Sequence, residues 1–300
     1  MSPPSQSRLQ QTLFGAFKKG MQLLRPLEKV AVRVPFVVST YHAIYSRIKP
    51  SGVVEAKLPF ANVFVRSEDE GVARPILLNG EFEPKELACI AQHLRAGDTF
   101  VDIGANIGIF SVFAGKHVGP SGTVISIEPE PANHELLLRN LLHNGLTTAN
   151  VKHLALGDTK TKLTLYRDAR NAGNPSLVRG NVVHYQDAHE VDVEPLDDVL
   201  SNVKNVHVIK MDVQGFEMNV LRGAKGVLEK HKPAILLELW PEGLERAGSS
   251  AREVLETLEK VGYTFREVES GEPHSIAEEV RRASDLGFVN VLATCDKMPR

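Results

Sequence analysis

The chain has 300 residues, of which 42% are hydrophobic and 24% are charged, the balance of a globular protein with a sizeable core. Its net charge of −2 argues against a general nucleic-acid binder. The two cysteines, Cys89 and Cys295, are too few for a disulfide framework or a zinc cluster, so we expect a reducing, cytoplasmic setting. Neither a Gly-x-Ser-x-Gly elbow nor a P-loop occurs, which disfavours hydrolases and nucleoside triphosphatases.

Residues 1–50 are far more basic than the rest of the chain. They contain eight Lys and Arg side chains against one acid, Glu28, so the remaining residues carry a net negative charge. From Leu9 to Leu24, apolar residues recur at helical spacing among basic ones, which predicts a basic amphipathic helix in this extension. Contact with an anionic membrane is one interpretation, and packing on the rest of the chain or on another subunit is the other. Residues 1–7 are polar and Pro-rich, so we expect them to be disordered.

Beyond this extension, the sequence predicts a short accessory segment and one large domain. Two β-like runs in residues 51–79 predict an accessory hairpin. In residues 80–300, strands and helices alternate, which predicts a parallel, doubly wound α/β sheet. The predicted strands are 99–103, 123–127, 151–156, 206–212, 233–240, 263–269 and 288–294, and the predicted helices are 84–94, 107–116, 131–143, 217–228 and 251–261. Residues 159–193 break the alternation, so we expect an inserted hairpin with a flexible loop at 169–174 over the site.

The most informative stretch, residues 98–108, places a β-branched and aromatic strand directly before a glycine-punctuated loop and a helix start. Asp102 lies near the carboxyl end of that strand, and Gly104 and Gly108 flank the loop. The next strand ends in Glu128, and an acid at that position commonly accepts the hydroxyl protons of a ribose. Dinucleotides and S-adenosylmethionine both carry such a ribose, so the acid alone does not separate them.

The spacing of the loop glycines discriminates between those two ligands. A Gly-x-Gly-x-x-Gly loop aims its backbone amides at a pyrophosphate, whereas this chain reads Gly-Ala-Asn-Ile-Gly with Asp102 beside it. The carboxylate would repel a pyrophosphate and suits a positively charged ligand, such as the sulfonium of S-adenosylmethionine. An NAD(P)-dependent oxidoreductase on a related sheet remains the first alternative. A non-catalytic module that retains the cofactor pocket is the second.

A second group of charged residues follows the later strands of the sheet. Lys210 and Asp212 are two residues apart and share a strand face, and Glu238 lies at the end of the next strand. Together with Asp102 and Glu128, the acids all fall at the carboxyl ends of strands, where ligands bind in an open α/β sheet. The alternative is a purely structural ion pair of Lys210 with one of its neighbours.

Five motifs are spread over roughly residues 80–294. They read Asp-Ile-Gly-Ala-Asn-Ile-Gly, Ile-Glu-Pro-Glu-Pro-Ala-Asn, Ala-Leu-Gly-Asp, Ile-Lys-Met-Asp-Val-Gln-Gly-Phe-Glu and Leu-Leu-Glu-Leu. Together they resemble the FkbM family of methyltransferases, as does the upstream stretch 80–86. The resemblance implies a Rossmann-like, seven-stranded sheet, mostly parallel with an antiparallel last strand. It also implies S-adenosylmethionine-dependent O-methylation of a hydroxyl on a sugar, glycan, glycolipid or natural product. Gln214 departs from the family pattern, which usually has Glu at that position.

The same resemblance implies roles for individual residues. The residues expected to bind the methionine part of the cofactor are Asp102, Gly104, Asn106 and Gly108. Glu128 is expected to bind the ribose, and Asp158 the adenine. Asp212 and Glu238 are the expected base or substrate-orienting residues, with Lys210 tuning them by its charge. We expect no metal site, because no histidine spacing is typical of metal ligands. The expected partner is a small-molecule or glycan acceptor.

Overall fold

The structure is a computed structural model that describes residues 8–24, 35–168, 175–268 and 270–295. The expected disordered start of the chain (1–7) and the expected flexible loop (169–174) lie outside these residues. The chain divides into two compact units, Met1–Phe82 and Glu83–Arg300. Within the described residues, no helix combines the length and the apolar character needed to cross a bilayer.

The described part of the first unit contains three helices and a hairpin. The helices are α1 (Arg8–Leu24), α2 (Pro35–Ile48) and α3 (Ala73–Asn79), and the strands are β1 (Val53–Lys57) and β2 (Asn62–Arg66). β1 and β2 pair antiparallel, which confirms the predicted hairpin. The amphipathic helix predicted near the start of the chain is α1, and its Phe17 ring stacks on Tyr41 of α2 at a centroid distance of 5.8 Å.

The second unit is built on one large sheet and one small sheet. Its strands are β3 (Thr99–Ile103), β4 (Thr123–Ile127), β5 (Asn150–Lys152), β6 (Ala155–Leu156), β7 (Thr161–Asp168), β8 (Tyr185–Glu194), β9 (Val208–Met211), β10 (Ala234–Leu239), β11 (Thr264–Glu267), β12 (Pro273–His274) and β13 (Val289–Thr294). The large sheet has the order β12-β11-β13-β10-β9-β3-β4-β5. The strands from β10 to β5 are parallel, and β13 runs antiparallel between β10 and β11. The predicted Rossmann-like architecture is therefore confirmed.

The helices of the second unit lie between these strands along the chain. They are α4 (Pro84–His93), α5 (Ile109–Val118), α6 (Pro131–His143), α7 (Leu196–Val199), α8 (Glu217–Arg222), α9 (Lys225–His231), α10 (Pro241–Arg246), α11 (Ala251–Lys260) and α12 (Ile276–Leu286). Every residue of β3 and of β9 is buried, as expected for central parallel strands covered on both faces. Residues at the carboxyl ends of these strands are thus anchored to the core.

Several features of the second unit differ from the sequence prediction. The helix predicted at 217–228 is divided into α8 and α9, and the short helices α7 and α10 were not predicted. The large sheet has eight strands because the two-residue β12 pairs with the edge strand β11. The strand predicted at 151–156 is divided: β5 joins the large sheet, whereas β6 pairs with β8 in the small one. Helix α12 was not predicted, although a capping box formed by Ser275 and Glu278 defines its start. Within the insert 159–193, β7 and β8 form the predicted hairpin.

Candidate active site

A cleft of about 600 Å³ opens at the carboxyl ends of β3, β4 and β9. The loops after these strands form one side, and the insert hairpin contributes Leu165 to the other. Most of the lining is apolar, including Ile127, Leu154, Leu156 and Phe216, while Glu128 and Asp212 supply the acidic groups. A largely apolar slot with a few fixed polar groups is the usual form of a small-molecule site.

Gly104 is required where the loops after β3 and β9 meet. Its φ is +73°, and a Cβ at this position would lie 1.9 Å from the carbonyl oxygen of Asp212. The Gly104 and Ala105 amides both donate to the Ile127 carbonyl oxygen at 3.0 Å, which fixes the loop to the end of β4. Gly108 is needed for a different reason, since its Cβ would lie 2.4 Å from Leu137 of α6. Gly104 lines the cleft, whereas Gly108 allows α5 and α6 to pack closely.

Glu128 is the best-defined polar group of the cleft. One carboxylate oxygen accepts a hydrogen bond from the Asn106 amide at 2.7 Å, and the other accepts from the Glu130 amide at 2.9 Å. Burial raises the pKa of Glu128 to about 7, although both amide bonds oppose the shift. Each oxygen keeps a lone pair, so the ionised group can accept two hydroxyl protons from a ribose. Asn106 thus acts through its backbone, with φ at +51°.

Three of the predicted cofactor-binding residues, Asp102, Asp158 and Gly108, do not line the cleft. Asp102 is completely buried under the loop, where Ser111 of α5 donates to its Oδ2. Its Oδ1 accepts no hydrogen bond from the described residues, and burial raises its pKa. Asp158 is exposed and accepts a hydrogen bond from the Thr159 hydroxyl at 3.3 Å. The structure therefore brings Gly104, Asn106 and Glu128 together, with Asp102 behind them and Asp158 outside.

A smaller pocket of about 260 Å³ adjoins the cleft and contains the three predicted catalytic residues, Lys210, Asp212 and Glu238. The Lys210 ammonium donates to the Gly104 carbonyl oxygen at 3.0 Å and lies 3.5 Å from Asp212 Oδ2. Burial alone would lower the pKa of Lys210, but the carboxylates of Asp212 and Asp102 outweigh burial and raise it. Burial, followed by the Asp212 charge, raises the pKa of Glu238 well above its usual value.

Several residues at this pocket were not among the predicted site residues. Glu83, Glu86 and Asn290 line it, and Asn290 donates from its side-chain amide to Glu86 at 2.9 Å. The two glutamates belong to the stretch 80–86 that already resembled the family. Asn290 carries no such signal, because only the antiparallel pairing of β13 places it opposite Glu238.

The loop after β9 is held in shape by three kinds of side-chain contact. Gln214, which has φ at +54°, donates from Nε2 to Asp212 Oδ1 at 2.7 Å. The backbone carbonyl oxygen of Gln214 accepts hydrogen bonds from the side chains of Ser176 and Asn181, both in the insert, at 3.1 and 2.9 Å. Glu217 accepts from two amides of the loop, and burial raises its pKa to about 7. The amide of Gln214 thus orients Asp212 where the family usually has a carboxylate.

The residues of the cleft fit S-adenosylmethionine. Glu128 offers acceptors for a ribose, the apolar lining offers a slot for an adenine ring, and Asp212 offers negative charge to a sulfonium. Gly104 allows the loop after β3 to contact the loop that carries Asp212, because a Cβ at this position would collide with the Asp212 carbonyl oxygen. Among the described residues, no group of three or more His, Cys, Asp and Glu side chains could hold a metal ion.

Comparison with known proteins agrees with these features. Residues 102–265 match the family model described as the methyltransferase FkbM domain. The chain is 32% identical over 146 residues to Methyltransferase 1 of Beauveria bassiana, an alignment that covers 42% of this chain and 58% of that protein. It is 30% identical over 186 residues to Methyltransferase sdnD of Sordaria araneosa, covering 51% of this chain and 70% of that protein. The chain therefore spans less than two thirds of the length of the first of these relatives.

Among solved structures, a methyltransferase FkbM from Methylobacillus flagellatus KT is similar to the chain. Its TM-score is 0.43 at 17% sequence identity, and the match covers 75% of this chain and 60% of that one.

Proposed function

The chain belongs to the FkbM methyltransferase family, and from this premise we propose that it methylates a hydroxyl group on a sugar, glycan, glycolipid or natural product. Its cofactor is S-adenosylmethionine. The observation that carries the proposal is that Asp212 lines both the 600 Å³ cleft and the 260 Å³ pocket. An acceptor held in the pocket would meet the cofactor at this carboxylate, which is where a proton acceptor is needed.

The chemistry of the reaction explains why the pocket holds carboxylates. An alcohol is a weak nucleophile, so its methylation is assisted by a base near the hydroxyl proton. When bound, S-adenosylmethionine supplies the electrophilic methyl group and the leaving group. Gln214 and Lys210 orient Asp212. Asp212 takes the proton from the hydroxyl of the acceptor molecule, or it holds that hydroxyl in line with the methyl group. Glu238 orients a second polar group of the acceptor from the neighbouring strand β10.

A cofactor-binding experiment separates this proposal from an NAD(P)-dependent oxidoreductase. We expect calorimetric titration to show binding of S-adenosylhomocysteine and no binding of NAD, because the loop lacks the third glycine of a pyrophosphate site and Asp102 lies behind it. Binding of NAD without binding of S-adenosylhomocysteine would overturn the proposal.

A second experiment identifies the methylated acceptor. Cell extract is incubated with the protein and labelled cofactor, and mass spectrometry then detects the labelled products.

Two variants separate a methyltransferase from a non-catalytic module with the same pocket. Asp212→Asn and Glu238→Gln keep the size of each side chain but remove its charge, and neither residue contacts Glu128 through a hydrogen bond. We expect each variant to bind S-adenosylhomocysteine nearly as well as the unchanged chain. Methyl transfer should fall by about 100- to 10,000-fold in Asp212→Asn, the usual contribution of a general base. Unchanged transfer in both variants would exclude the assigned roles.

The first unit supports a proposed attachment to an anionic membrane on the cytoplasmic side. α1 leaves Leu23 81% exposed, and α2 leaves Phe36 78% and Ile44 43% exposed. Phe36 and Ile44 are eight residues apart, so both lie on one face of α2. These apolar side chains accompany the excess of positive charge in residues 1–50, and apolar contact combined with basic charge is typical of interfacial helices.

Sedimentation with vesicles tests this attachment. We expect the full chain to pellet with phosphatidylserine-containing vesicles, and a chain without residues 1–50 to remain in the supernatant. The double variant Phe36→Ser, Ile44→Ser should pellet less than the full chain without loss of folding, because both side chains are exposed. Equal pelleting of the full and shortened chains would contradict the proposal.

A further inference from the structure

One arginine of the insert hairpin contacts a residue that helps to hold Glu128. Arg167 of β7 donates from Nε and Nη2 to the two carboxylate oxygens of Asp187, on the neighbouring strand β8. Its remaining nitrogen, Nη1, donates to Glu130 Oε1 at 3.0 Å. Glu130 belongs to the start of α6 rather than to the insert. Arg167 therefore makes a charged contact from the hairpin to the start of α6, two residues along β7 from Leu165, which lines the cleft.

Glu130 stands directly between Arg167 and Glu128. Its side chain is 5% exposed, and its Oε2 caps α6 by accepting a hydrogen bond from the Asn133 amide at 2.6 Å. Its own amide donates to Glu128 Oε1 at 2.9 Å. Any movement of Glu130 would therefore move one of the two donors that hold Glu128.

The charges around Glu128 make this contact important for its ionisation. Besides burial, the nearby Glu130 carboxylate raises the pKa of Glu128, while Lys210 lowers it from the other side of the loop. Arg167 is the cation in contact with Glu130. Removal of Arg167 would leave the buried carboxylates of Glu128 and Glu130 with one fewer positive charge nearby. This loss disfavours the ionisation of both carboxylates.

We propose that Arg167 is a positioning residue for cofactor binding: it holds Glu130, and through Glu130 it keeps Glu128 placed and ionised for the ribose hydroxyls. The inference rests on the proposed cofactor site and extends it to the insert. It makes the hairpin a part of the cofactor-binding apparatus, because the hairpin supplies the arginine that holds Glu130.

Three variants of the full chain test this role. Arg167→Met removes the charge and keeps the approximate length of the side chain. Arg167→Lys keeps the charge but loses the planar guanidinium, which donates to Asp187 and Glu130 at the same time. Lys162→Met is the matched control, because it removes a cation from the same strand whose partners, Glu190 and Asp192, are exposed and lie on the hairpin itself. The readouts are the dissociation constant of S-adenosylhomocysteine by calorimetry from pH 6 to pH 9, and the thermal unfolding temperature.

We expect Arg167→Met to weaken binding about ten- to a hundredfold at pH 7, the range for a lost hydrogen bond to a charged group. The midpoint of its pH dependence should move to higher pH, with partial recovery of affinity at pH 9. Arg167→Lys should keep the midpoint of the unchanged chain, and Lys162→Met should keep both the midpoint and the affinity.

Two results would overturn the inference. One is an unchanged affinity and midpoint in Arg167→Met. The other is an equal loss of affinity at every pH in both Arg167 variants, which would indicate only a damaged hairpin. If the unchanged chain itself fails to bind S-adenosylhomocysteine, the proposed function fails, and that result is visible before any variant is compared.

Discussion

Glu128 combines two properties that a ribose-binding acid needs and that oppose each other. Its burial keeps water away from the hydrogen bonds it makes, but burial also favours the protonated form. The amides of Asn106 and Glu130 offset part of that cost because they donate to the ionised carboxylate. The result is a pKa of about 7, so this acid changes its charge near neutral pH.

This pKa predicts a pH-dependent affinity for the cofactor. The ionised form accepts two hydroxyl protons, whereas the protonated form offers a donor where an acceptor is needed. The affinity for S-adenosylhomocysteine should therefore be highest above pH 7 and fall as the pH drops below it, by up to about tenfold per pH unit. Calorimetry between pH 5.5 and pH 8.5 measures this, with Glu128→Gln as the control that should bind weakly at every pH. An affinity independent of pH in the unchanged chain would contradict the role of Glu128.

Lys210, a proposed site residue, also has a structural role. Its side chain is 9% exposed and holds the Gly104 carbonyl oxygen beside the Asp212 carboxylate. Lys210→Met should lower the free energy of unfolding by about 3–5 kcal/mol, because it leaves buried carboxylates without their cation. Lys160→Met, which removes an exposed ion pair with Glu194, should leave that free energy nearly unchanged. Urea unfolding compares the two, and equal stabilities would show that Lys210 is not needed for folding.

At the scale of elements, the contact between the loops after β3 and β9 gives a sharper test. Gly104→Ala adds a methyl group that would lie 1.9 Å from the Asp212 carbonyl oxygen, so one loop must move. Gly145→Ala is the matched control: its φ of +75° is close to the +73° of Gly104, but nothing lies within 4 Å of its Cβ. We expect Gly145→Ala to cost about 1–2 kcal/mol of stability and to bind S-adenosylhomocysteine normally. Gly104→Ala should lose binding by calorimetry, and normal binding in both would exclude the proposed loop contact.

The strands that could be predicted to the residue are those bounded by local signals. β3 ends directly before Gly104, and β4 begins directly after Gly122. Both strands are largely buried, as expected for apolar runs in a parallel sheet. The strand expected at 151–156 could not be divided correctly, because β6 pairs with β8, and the paired residues Ala155 and Val193 are 38 positions apart in the chain. Helix α12 was missed because most of its residues are polar and it buries few side chains.

In the candidate site, too, residues marked by local sequence patterns could be predicted, whereas contacts between parts far apart in the sequence could not. Glu128, Asp212 and Glu238 were identifiable because acids at the carboxyl ends of parallel strands share one sheet edge. The direction of the Asp102 side chain was not predictable, because both faces of β3 are buried and alternation then carries no signal. Arg167 was missed because its contact with Glu130 joins the insert to the start of α6, and the two residues are 37 positions apart in the chain.

At the scale of the whole molecule, the two units differ in what they contain. Every residue that lines the cleft or the adjoining pocket lies in Glu83–Arg300. The first unit, Met1–Phe82, has its own hairpin, its own buried residues such as Tyr45, and the apolar side chains exposed on α1 and α2. We therefore infer a division of labour, with cofactor chemistry in the second unit and proposed membrane contact in the first.

This division predicts that the second unit binds the cofactor by itself. A chain of residues 80–300, which retains all strands of the large sheet, should bind S-adenosylhomocysteine within about twofold of the full chain, because every residue that lines the cleft or the adjoining pocket is retained. Circular dichroism establishes that the shortened chain is folded, and calorimetry gives its affinity. The same chain should not pellet with anionic vesicles, since it lacks the basic residues of 1–50 and the exposed side chains of Leu23 and Phe36. A folded chain of residues 80–300 that fails to bind would show that the first unit is needed for the cofactor site.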